Sequence, residues 1–247
     1  MNVIYNENCL DTMARLDAES VDLVVTSPPY DLLRTYNGYS FDFESIAFSL
    51  YRVMKQGGVV IWIVGDSTTK GSESGTSFRQ ALHFKEVGFN LHDTMIWRKT
   101  NPMPKVKTKR YFDVFEYMFV LSKGQPNTFN PLMQATKMGG KTYDSTVKKI
   151  TAGKERTKKK FILNSERYKD NIWECAVAQN KTIHPAVFPE SLVHDHILSW
   201  TNKGDLVYDP FIGSGTTAIA AKKLGRNYLG SEISSEYCHL ADSRINA

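Results

Sequence analysis

The sequence has few cysteines and no long apolar run, and both absences restrict the class of protein. Its three cysteines, Cys9, Cys175 and Cys238, are scattered through 247 residues and are odd in number. This arrangement excludes a disulfide framework and the paired spacing of a zinc site, so we expect no metal. The longest apolar run, residues 59–64, is far shorter than the roughly 20 residues that span a bilayer. Residues 1–8 lack a basic region followed by an apolar one, so we expect a cytoplasmic protein without a signal peptide.

Positive charge is concentrated in the middle of the chain. The net charge is +5, yet residues 124–182 hold twelve Lys and Arg against five Asp and Glu. Residues 98–110 hold six basic side chains and no acid. Such a stretch can neutralise nucleic-acid phosphates, although a solvated charged loop explains the composition equally well. If the partner is a nucleic acid, the basic side chains expected to contact it are Arg98, Lys99, Lys105, Lys107, Lys109, Arg110, Lys158, Lys159 and Lys160.

Strand-like and helix-like segments alternate in both flanks of the chain. Apolar runs of strand length, often β-branched, occur at residues 21–25, 59–64, 91–97, 114–121, 205–208 and 227–230. Segments with helical character occur at residues 43–55, 78–87, 189–200, 216–224 and 234–245. Gly57 and Gly58 are expected to separate the first helix from the strand that follows, and Gly88 is expected to end the second helix. This alternation predicts a Rossmann-like α/β fold with a mostly parallel sheet and helices on both faces.

Between residues 123 and 181 the periodicity fades, and Lys, Thr, Asn and Gly predominate. A structureless loop of that length is improbable inside a compact domain. We therefore predict that residues 124–182 form an insertion. Residues 1–123 and 183–247 then form the two halves of one core.

A glycine-containing loop follows a predicted strand and opens a helix at residues 209–217. Gly213 and Gly215 permit a tight turn and the close approach of a ligand, and free N–H groups at the helix start can bind a polar group. A dinucleotide-binding loop would have a third glycine where Ala218 stands, and a phosphate-binding P-loop would continue with Gly-Lys. Asp209 and Glu232 end neighbouring strands, and an acid at the latter position suits ribose hydroxyls. The pattern favours a nucleoside-type cofactor.

The second motif is Ser27-Pro28-Pro29-Tyr30, which directly follows a buried strand. The prolines fix two φ angles and remove two donors, so carbonyl groups of the turn can point at a ligand. The Ser27 hydroxyl and the Pro28 carbonyl could accept hydrogen bonds from an exocyclic amine and thereby free its nitrogen lone pair. Tyr30 offers a ring on which an extruded base can stack.

In this order the two motifs resemble those of the amino-methylating DNA methyltransferases, in the permuted group whose catalytic motif precedes the cofactor motif. The resemblance implies S-adenosylmethionine as cofactor, double-stranded DNA as substrate and a target-recognition role for residues 124–182. It implies a catalytic role for Ser27, Pro28, Pro29 and Tyr30. The positions it assigns to the cofactor are Asn8, Cys9, Phe188, Pro189, Asp209, Phe211, Gly213, Ser214, Gly215, Thr216, Thr217 and Glu232. The family's Gly-Asp-Cys-Leu is replaced here by Glu7-Asn8-Cys9-Leu10, which makes Asn8 a donor or acceptor towards adenine.

The family tendency to place Ser before Pro-Pro in cytosine-N4 enzymes makes cytosine N4 the expected target and adenine N6 the alternative. Methylation at cytosine C5 is disfavoured, because no cysteine occupies the position of the required nucleophile. A nucleotide-binding oxidoreductase, a non-catalytic DNA-binding protein and an RNA methyltransferase remain rival hypotheses. A homodimer and a partner restriction endonuclease are compatible with the sequence, and neither follows from it.

Overall fold

The computed structural model describes residues 2–29, 41–102, 109–146, 158–177 and 189–247, with the backbone alone described at 143–146 and 158–159. In chain order the elements are β1 (Asn2–Tyr5), α1 (Cys9–Arg15), β2 (Val21–Thr26), α2 (Phe43–Val53), β3 (Met54–Val64), β4 (Thr68–Thr69), β5 (Ser72–Glu73), α3 (Thr76–Val87), β6 (Asn90–Lys99), β7 (Phe115–Ser122), β8 (Met133–Ala135), β9 (Thr142–Thr146), β10 (Lys158–Ile162), β11 (Glu166–Tyr168), β12 (Ile172–Cys175), α4 (Glu190–Trp200), β13 (Leu206–Asp209), α5 (Thr216–Lys223), β14 (Asn227–Ser231) and α6 (Ser235–Ile245). None of the helices within these ranges combines the length and apolar character that crossing a bilayer requires.

Within the described residues, eight strands form one sheet in the order β1-β14-β13-β2-β3-β7-β6-β12. Neighbouring strands pair in parallel from β1 to β3, and β6 pairs in parallel with β12. Strand β7 is antiparallel to both of its neighbours, β3 and β6. The prediction of an α/β fold with a mostly parallel sheet is confirmed.

Both faces of the sheet are covered, as the burial of β3 shows. Successive strand side chains point to opposite faces, yet Ile61, Trp62 and Ile63 are all fully buried. Trp62 belongs to a core cluster with residues of α1, α2 and α3. On the other face, the imidazole Nε2 of His196 in α4 lies 3.4 Å from the sulfur of Met118 in β7. A sheet buried on both faces explains why β3 is continuously apolar from Val59 to Val64.

The expectation that Gly57 and Gly58 separate a helix from a strand is wrong. Helix α2 ends at Val53, and β3 begins directly at Met54 and includes both glycines. The pairing with β2 is irregular there, because Val21 lies opposite Met54 whereas Leu23 lies opposite Val59. Gly57 has a φ of +78°, which glycine adopts without strain, and its N–H donates to the carbonyl of Lys123 at 2.6 Å. The two glycines therefore lie at an irregularity within β3, and the hydrogen bond of Gly57 connects this part of β3 with the residue that follows β7.

The chain divides into two compact units, one comprising Met1–Asn130 with Asn171–Ala247 and the other Pro131–Asp170. In the smaller unit β8 pairs with β11, and β9 pairs with β10, all antiparallel. The side chain of Arg167 forms an ion pair with Asp170, and Gln134 also donates to Asp170, at 3.0 Å. Strand β12 falls inside the range 124–182 and is part of the large sheet.

Candidate active site

The carboxyl ends of four adjacent parallel strands bring the sequence motifs to one edge of the sheet. Strands β1, β14, β13 and β2 are neighbours in that order. They end at Tyr5, Ser231, Asp209 and Thr26, which directly precede the segments containing Asn8, Glu232, Phe211 and Ser27. Ligands of open α/β sheets bind beyond this edge. The fold therefore brings together the N-terminal segment, the predicted ribose acid, the glycine loop and the proline turn.

Asp209 joins the glycine loop to the strand that carries the proline turn. Its carboxylate accepts hydrogen bonds from the hydroxyl of Thr26 at 2.7 Å and from the hydroxyl of Thr217 at 2.6 Å. It also accepts from the backbone N–H of Phe211 at 3.0 Å. Thr26 directly precedes Ser27, so one side chain links the catalytic candidate to both ends of the loop. The interpretation that Asp209 itself holds a ligand stays a prediction, and in this structure its oxygens are bonded to protein donors.

The environment of Asp209 is unusual for a carboxylate. The side chain is almost completely buried, and burial raises its pKa to about 6 despite the lowering effect of the three donors. The charge of Glu232 adds to this rise. Desolvation disfavours a charged carboxylate, and hydrogen bonds compensate only part of that cost. Asp209 is therefore a buried ionisable group held between β2 and the glycine loop.

Glu232 lies directly beyond β14 and contacts the glycine loop. One carboxylate oxygen accepts from the N–H of Gly213 at 3.0 Å, and the other accepts from the N–H of Ser234 at 2.9 Å. Partial burial raises the pKa of Glu232. Each carboxylate oxygen has a second lone pair, so both oxygens can still accept hydrogen bonds from hydroxyl groups. This acceptor pair beside a left-handed glycine turn fits the ribose of a nucleoside cofactor.

The loop itself is shaped by glycine and by α6. Gly213 and Gly215 have φ values of +49° and +83°, and a Cβ on Gly215 would lie 2.9 Å from the Cβ of Ala241. The Ser214 hydroxyl accepts from Arg244 at 2.8 Å, which directs that side chain towards α6. Thr216 and Thr217 are buried in the first turn of α5. The backbone of the loop, more than its side chains, is thus presented at the sheet edge.

At the N-terminal segment, the Asn8 side chain caps α1 by accepting from the N–H of Leu10 at 2.9 Å. Capping uses the side-chain oxygen and leaves the amide NH2 as a donor group. Cys9 is buried within α1. Asn6 donates to the carbonyl of Glu232 at 2.8 Å and so fixes the segment beside the predicted ribose acid.

A buried series of hydrogen-bonded hydroxyl groups lies beneath the carboxyl ends of these strands. The sequence pattern does not predict it. The hydroxyl of Tyr208 lies 2.9 Å from that of Ser231. Ser231 donates to the hydroxyl of Thr12 at 2.8 Å, and Thr12 donates to Glu7 at 2.6 Å. Glu7 also forms an ion pair with Arg15, which lowers its pKa. These hydrogen bonds connect β13 and β14 with α1. Their partners lie far apart in the sequence, so no local sequence pattern predicts them.

In the proline turn, Ser27 and Pro29 are half-buried and Pro28 is buried. The ring of Phe211, in the glycine loop, lies 5.7 Å from the ring of Phe41 and 6.4 Å from that of Trp62. These contacts pack Phe211 and Phe41 against the buried core that includes Trp62. Tyr30 and Phe188 lie outside the described residues. Pro189 is buried at the start of α4.

The predicted DNA-contacting side chains occupy different surroundings. Arg98 forms an ion pair with Glu174, and Lys99 forms one with Glu116 at 2.7 Å. Arg110 forms an ion pair with Glu73. Lys109 and Lys160 are exposed. For Lys158 and Lys159 the structure gives the strand position only, and Lys105 and Lys107 lie outside the described residues.

Comparison with known proteins identifies the family. The family model described as DNA methylase, of the N6 and N4 class, matches residues 21–243. The orphan methyltransferase M.BamHII of Bacillus amyloliquefaciens is 52% identical over 236 residues, which cover 92% of this chain and 89% of the relative. The chain belongs to this family. It is an S-adenosylmethionine-dependent DNA methyltransferase that modifies an exocyclic amino group, at cytosine N4 or adenine N6.

Solved structures support the same fold. The cytosine-N4-specific PvuII DNA methyltransferase is 21% identical with a TM-score of 0.74, and the match covers 99% of this chain and 86% of that one. The complex of M1.HpyAVI with S-adenosylmethionine is 25% identical with a TM-score of 0.63, and the match covers 99% of this chain and 100% of that one. Within the part of the chain that the structure describes, no group of His, Cys, Asp and Glu is arranged to hold a metal ion.

Proposed function

We propose that the chain methylates the N4 amino group of cytosine in double-stranded DNA, at a site formed by Ser27, Pro28 and the glycine loop. The observation that carries this proposal is the Asp209 junction, which fixes Thr26 and Phe211 to the same buried carboxylate. Because Ser27 follows Thr26, the amine acceptor and the cofactor loop are held in one arrangement. Positioning of this kind supplies much of the rate of a transfer between two bound groups.

The residues at the sheet edge divide into cofactor and base positions. Glu232 would accept from the ribose hydroxyls, and Asn8 would hydrogen-bond the adenine ring. The backbone from Phe211 to Gly215 would line the remainder of the cofactor. The solved complex of M1.HpyAVI with S-adenosylmethionine, at 25% identity, supports this use of the fold. When bound, S-adenosylmethionine would supply an electrophilic methyl group, whose bond to sulfur breaks as the amino nitrogen takes it, with S-adenosylhomocysteine as the leaving group and a proton lost from the nitrogen.

The protein's own contribution at the reacting nitrogen is to accept hydrogen bonds. The lone pair of an exocyclic amine is delocalised into the base, so the amine is a weak nucleophile. The Ser27 hydroxyl and the Pro28 carbonyl would accept from the two N–H bonds and draw the nitrogen towards tetrahedral geometry. Tyr30 would stack on the extruded base. Ser27 supports cytosine as the target, because serine at this position is the family tendency in cytosine-N4 enzymes. Adenine N6 is the second candidate, with the same site and mechanism.

We also propose which residues contact DNA and which protein partners the chain has. Residues 124–182 would recognise the target sequence, and the exposed Lys109 and Lys160 would contact phosphates. We infer no partner restriction endonuclease, because the relative at 52% identity is named an orphan methyltransferase. We also propose a cytoplasmic location, because the relative at 52% identity comes from a bacterium, in which the DNA lies in the cytoplasm.

The test is the Ser27→Ala variant. Removing one hydrogen-bonding group that acts in the transition state lowers turnover by roughly 100-fold or more, while calorimetric titration should give unchanged S-adenosylmethionine affinity. Ser20→Ala is the matched control, because Ser20 lies at the opposite end of β2, where it donates to the carbonyl of Asp17. Wild-type turnover in Ser27→Ala would remove Ser27 from the catalytic site.

A further inference from the structure

Residues 111–115, which lead into β7 and include its first residue, present a cluster of exposed aromatic side chains. Tyr111 is 99% exposed, Phe112 is 60% exposed and Phe115 is 39% exposed. Single exposed apolar residues are common on protein surfaces, but a contiguous group marks an interaction site. These three rings lie within five consecutive residues, so one short segment exposes three aromatic side chains to a binding partner.

The cluster is anchored at both ends. On one side, Arg110 forms an ion pair with Glu73 and donates to the carbonyl of Gly71 at 3.3 Å. Both acceptors belong to the hairpin of β4 and β5, whose turn residues Lys70 and Gly71 have φ values of +51° and +83°. On the other side, the ring of Phe115 lies 5.3 Å from that of Tyr117 in β7. Tyr111 and Phe112 thus project from a fixed base.

The cluster lies at the same edge of the sheet as the proline turn. Thr26 pairs with Trp62 near the end of β3, and Val64 pairs with Tyr117 near the start of β7. The antiparallel β7 therefore begins where β2 and β3 end. Adjacent strands are about 4.8 Å apart, so the start of β7 is about 10 Å across the sheet from β2. DNA engaged at Ser27 would pass over this segment.

The charge around the cluster favours DNA as the partner. Lys70, Lys109 and Arg110 carry three positive charges against the two negative charges of Glu73 and Asp113, and the pairing of Glu73 with Arg110 cancels one charge of each sign. Aromatic rings beside basic groups are the common means of holding unpaired bases, since every base has a stacking face. The substrate of the enzyme is DNA, and it needs such support when a base leaves the duplex.

We propose that Tyr111 and Phe112 form a stacking wedge that enters the DNA duplex beside the target base. The wedge stacks on bases that lose a neighbour when the target is extruded and so offsets the cost of unstacking. This proposal rests on base extrusion as part of the proposed function. The two residues are positioning residues, since they act on DNA away from the reacting nitrogen.

The test uses DNA that carries the site methylated by the wild-type protein, mapped by sequencing modified plasmid. Two duplexes are prepared, one with the target base correctly paired and one with it mismatched, which lowers the cost of extrusion. For the variant carrying Tyr111→Ala and Phe112→Ala, we expect roughly a tenfold or greater loss of kcat/KM on the paired duplex. On the mismatched duplex we expect activity within about twofold of wild type. Replacement of Tyr111 by Phe should keep most activity on both, since the ring is retained.

Phe48→Ala is the control variant, because Phe48 is 68% exposed on α2, outside the catalytic and cofactor residues. It should methylate both duplexes as wild type does. An equal loss on the two duplexes, or no loss on either, would overturn the wedge. If the variant carrying Tyr111→Ala and Phe112→Ala has a different oligomeric state from wild type in solution, the aromatic surface binds a second copy of the chain. That result would also overturn the wedge. Failure of the wild type to methylate any DNA would instead refute the proposed function.

Discussion

Replacing Asp209 by asparagine tests the buried junction between β2 and the glycine loop. Burial raises the Asp209 pKa from 3.8 to about 6 in the folded protein. A rise of this size corresponds to about 3 kcal/mol of unfavourable free energy for the ionised form, relative to the unfolded chain. Asparagine has a similar shape and no ionisable group, so it removes this dependence on pH.

The sign follows from proton linkage. With the folded pKa above the unfolded one, the folded protein binds more protons between pH 3.8 and about 6. The contribution of Asp209 to stability is therefore fully present below that window and is lost as pH rises through it. The free energy of unfolding of wild type, minus that of Asp209→Asn, should fall by about 2 kcal/mol from about pH 4 to pH 7. The constant part of that difference reports the altered hydrogen bonds with Thr26, Thr217 and Phe211.

The assay is urea unfolding of both proteins at stepped pH, followed by near-ultraviolet circular dichroism. Asp17→Asn is the matched control, because Asp17 is exposed. The difference in free energy of unfolding between wild type and Asp17→Asn should change far less with pH than the difference for Asp209→Asn. A difference for Asp209→Asn that stays constant across the same range would show that the carboxylate does not bear a burial cost. That result would refute the reasoning for this junction.

Two further predictions concern the cofactor edge and the hydroxyl chain beneath it. Glu232→Ala should weaken S-adenosylmethionine binding by roughly 10- to 100-fold in calorimetric titration, since charged hydrogen bonds contribute about 1.5–3 kcal/mol each. Glu236→Ala, which removes an exposed acid in the first turn of α6, should bind as wild type does, and equal affinity in both variants would exclude Glu232 from the ribose role. Thr12→Val keeps the side-chain shape but breaks two hydrogen bonds, the buried one from Ser231 and the part-buried one to Glu7, so it should lower the unfolding free energy by about 1–3 kcal/mol. The exposed Thr94→Val serves as control, and equal stability of the two variants would show that the chain is not stabilising.

The sequence predicts the α/β alternation well, because the strands of a sheet buried on both faces are continuously apolar. The sequence pattern correctly predicts strand β2, helix α3 and the helices and strands that follow Pro189. Strand β1 and helix α1 have no comparable signal. Strand β1 has four residues and α1 has seven, and the cap at Asn8 becomes visible only once the helix is known.

The site is predicted less completely, because several of its contacts join residues far apart in the chain. The motifs identify Ser27, Asp209 and Glu232 as candidates, but they do not show that Asp209 bonds to Thr26, which lies 183 residues away. The same limit applies to the basic stretch. Arg98 stands opposite Glu174 in the sheet, so its ion pair depends on the parallel pairing of β6 with β12.

The most direct test of the central claim is the identity of the methylated base. Unmethylated genomic DNA is incubated with the protein and S-adenosylmethionine, digested to nucleosides and analysed by mass spectrometry. A reaction with Ser27→Ala runs alongside as the control for catalysis at the proposed site. The account predicts N4-methyldeoxycytidine from wild type and a strongly reduced amount from the variant. N6-methyldeoxyadenosine as the product would contradict cytosine as the target, and no methylated deoxynucleoside at all would contradict DNA amino-methylation by this chain.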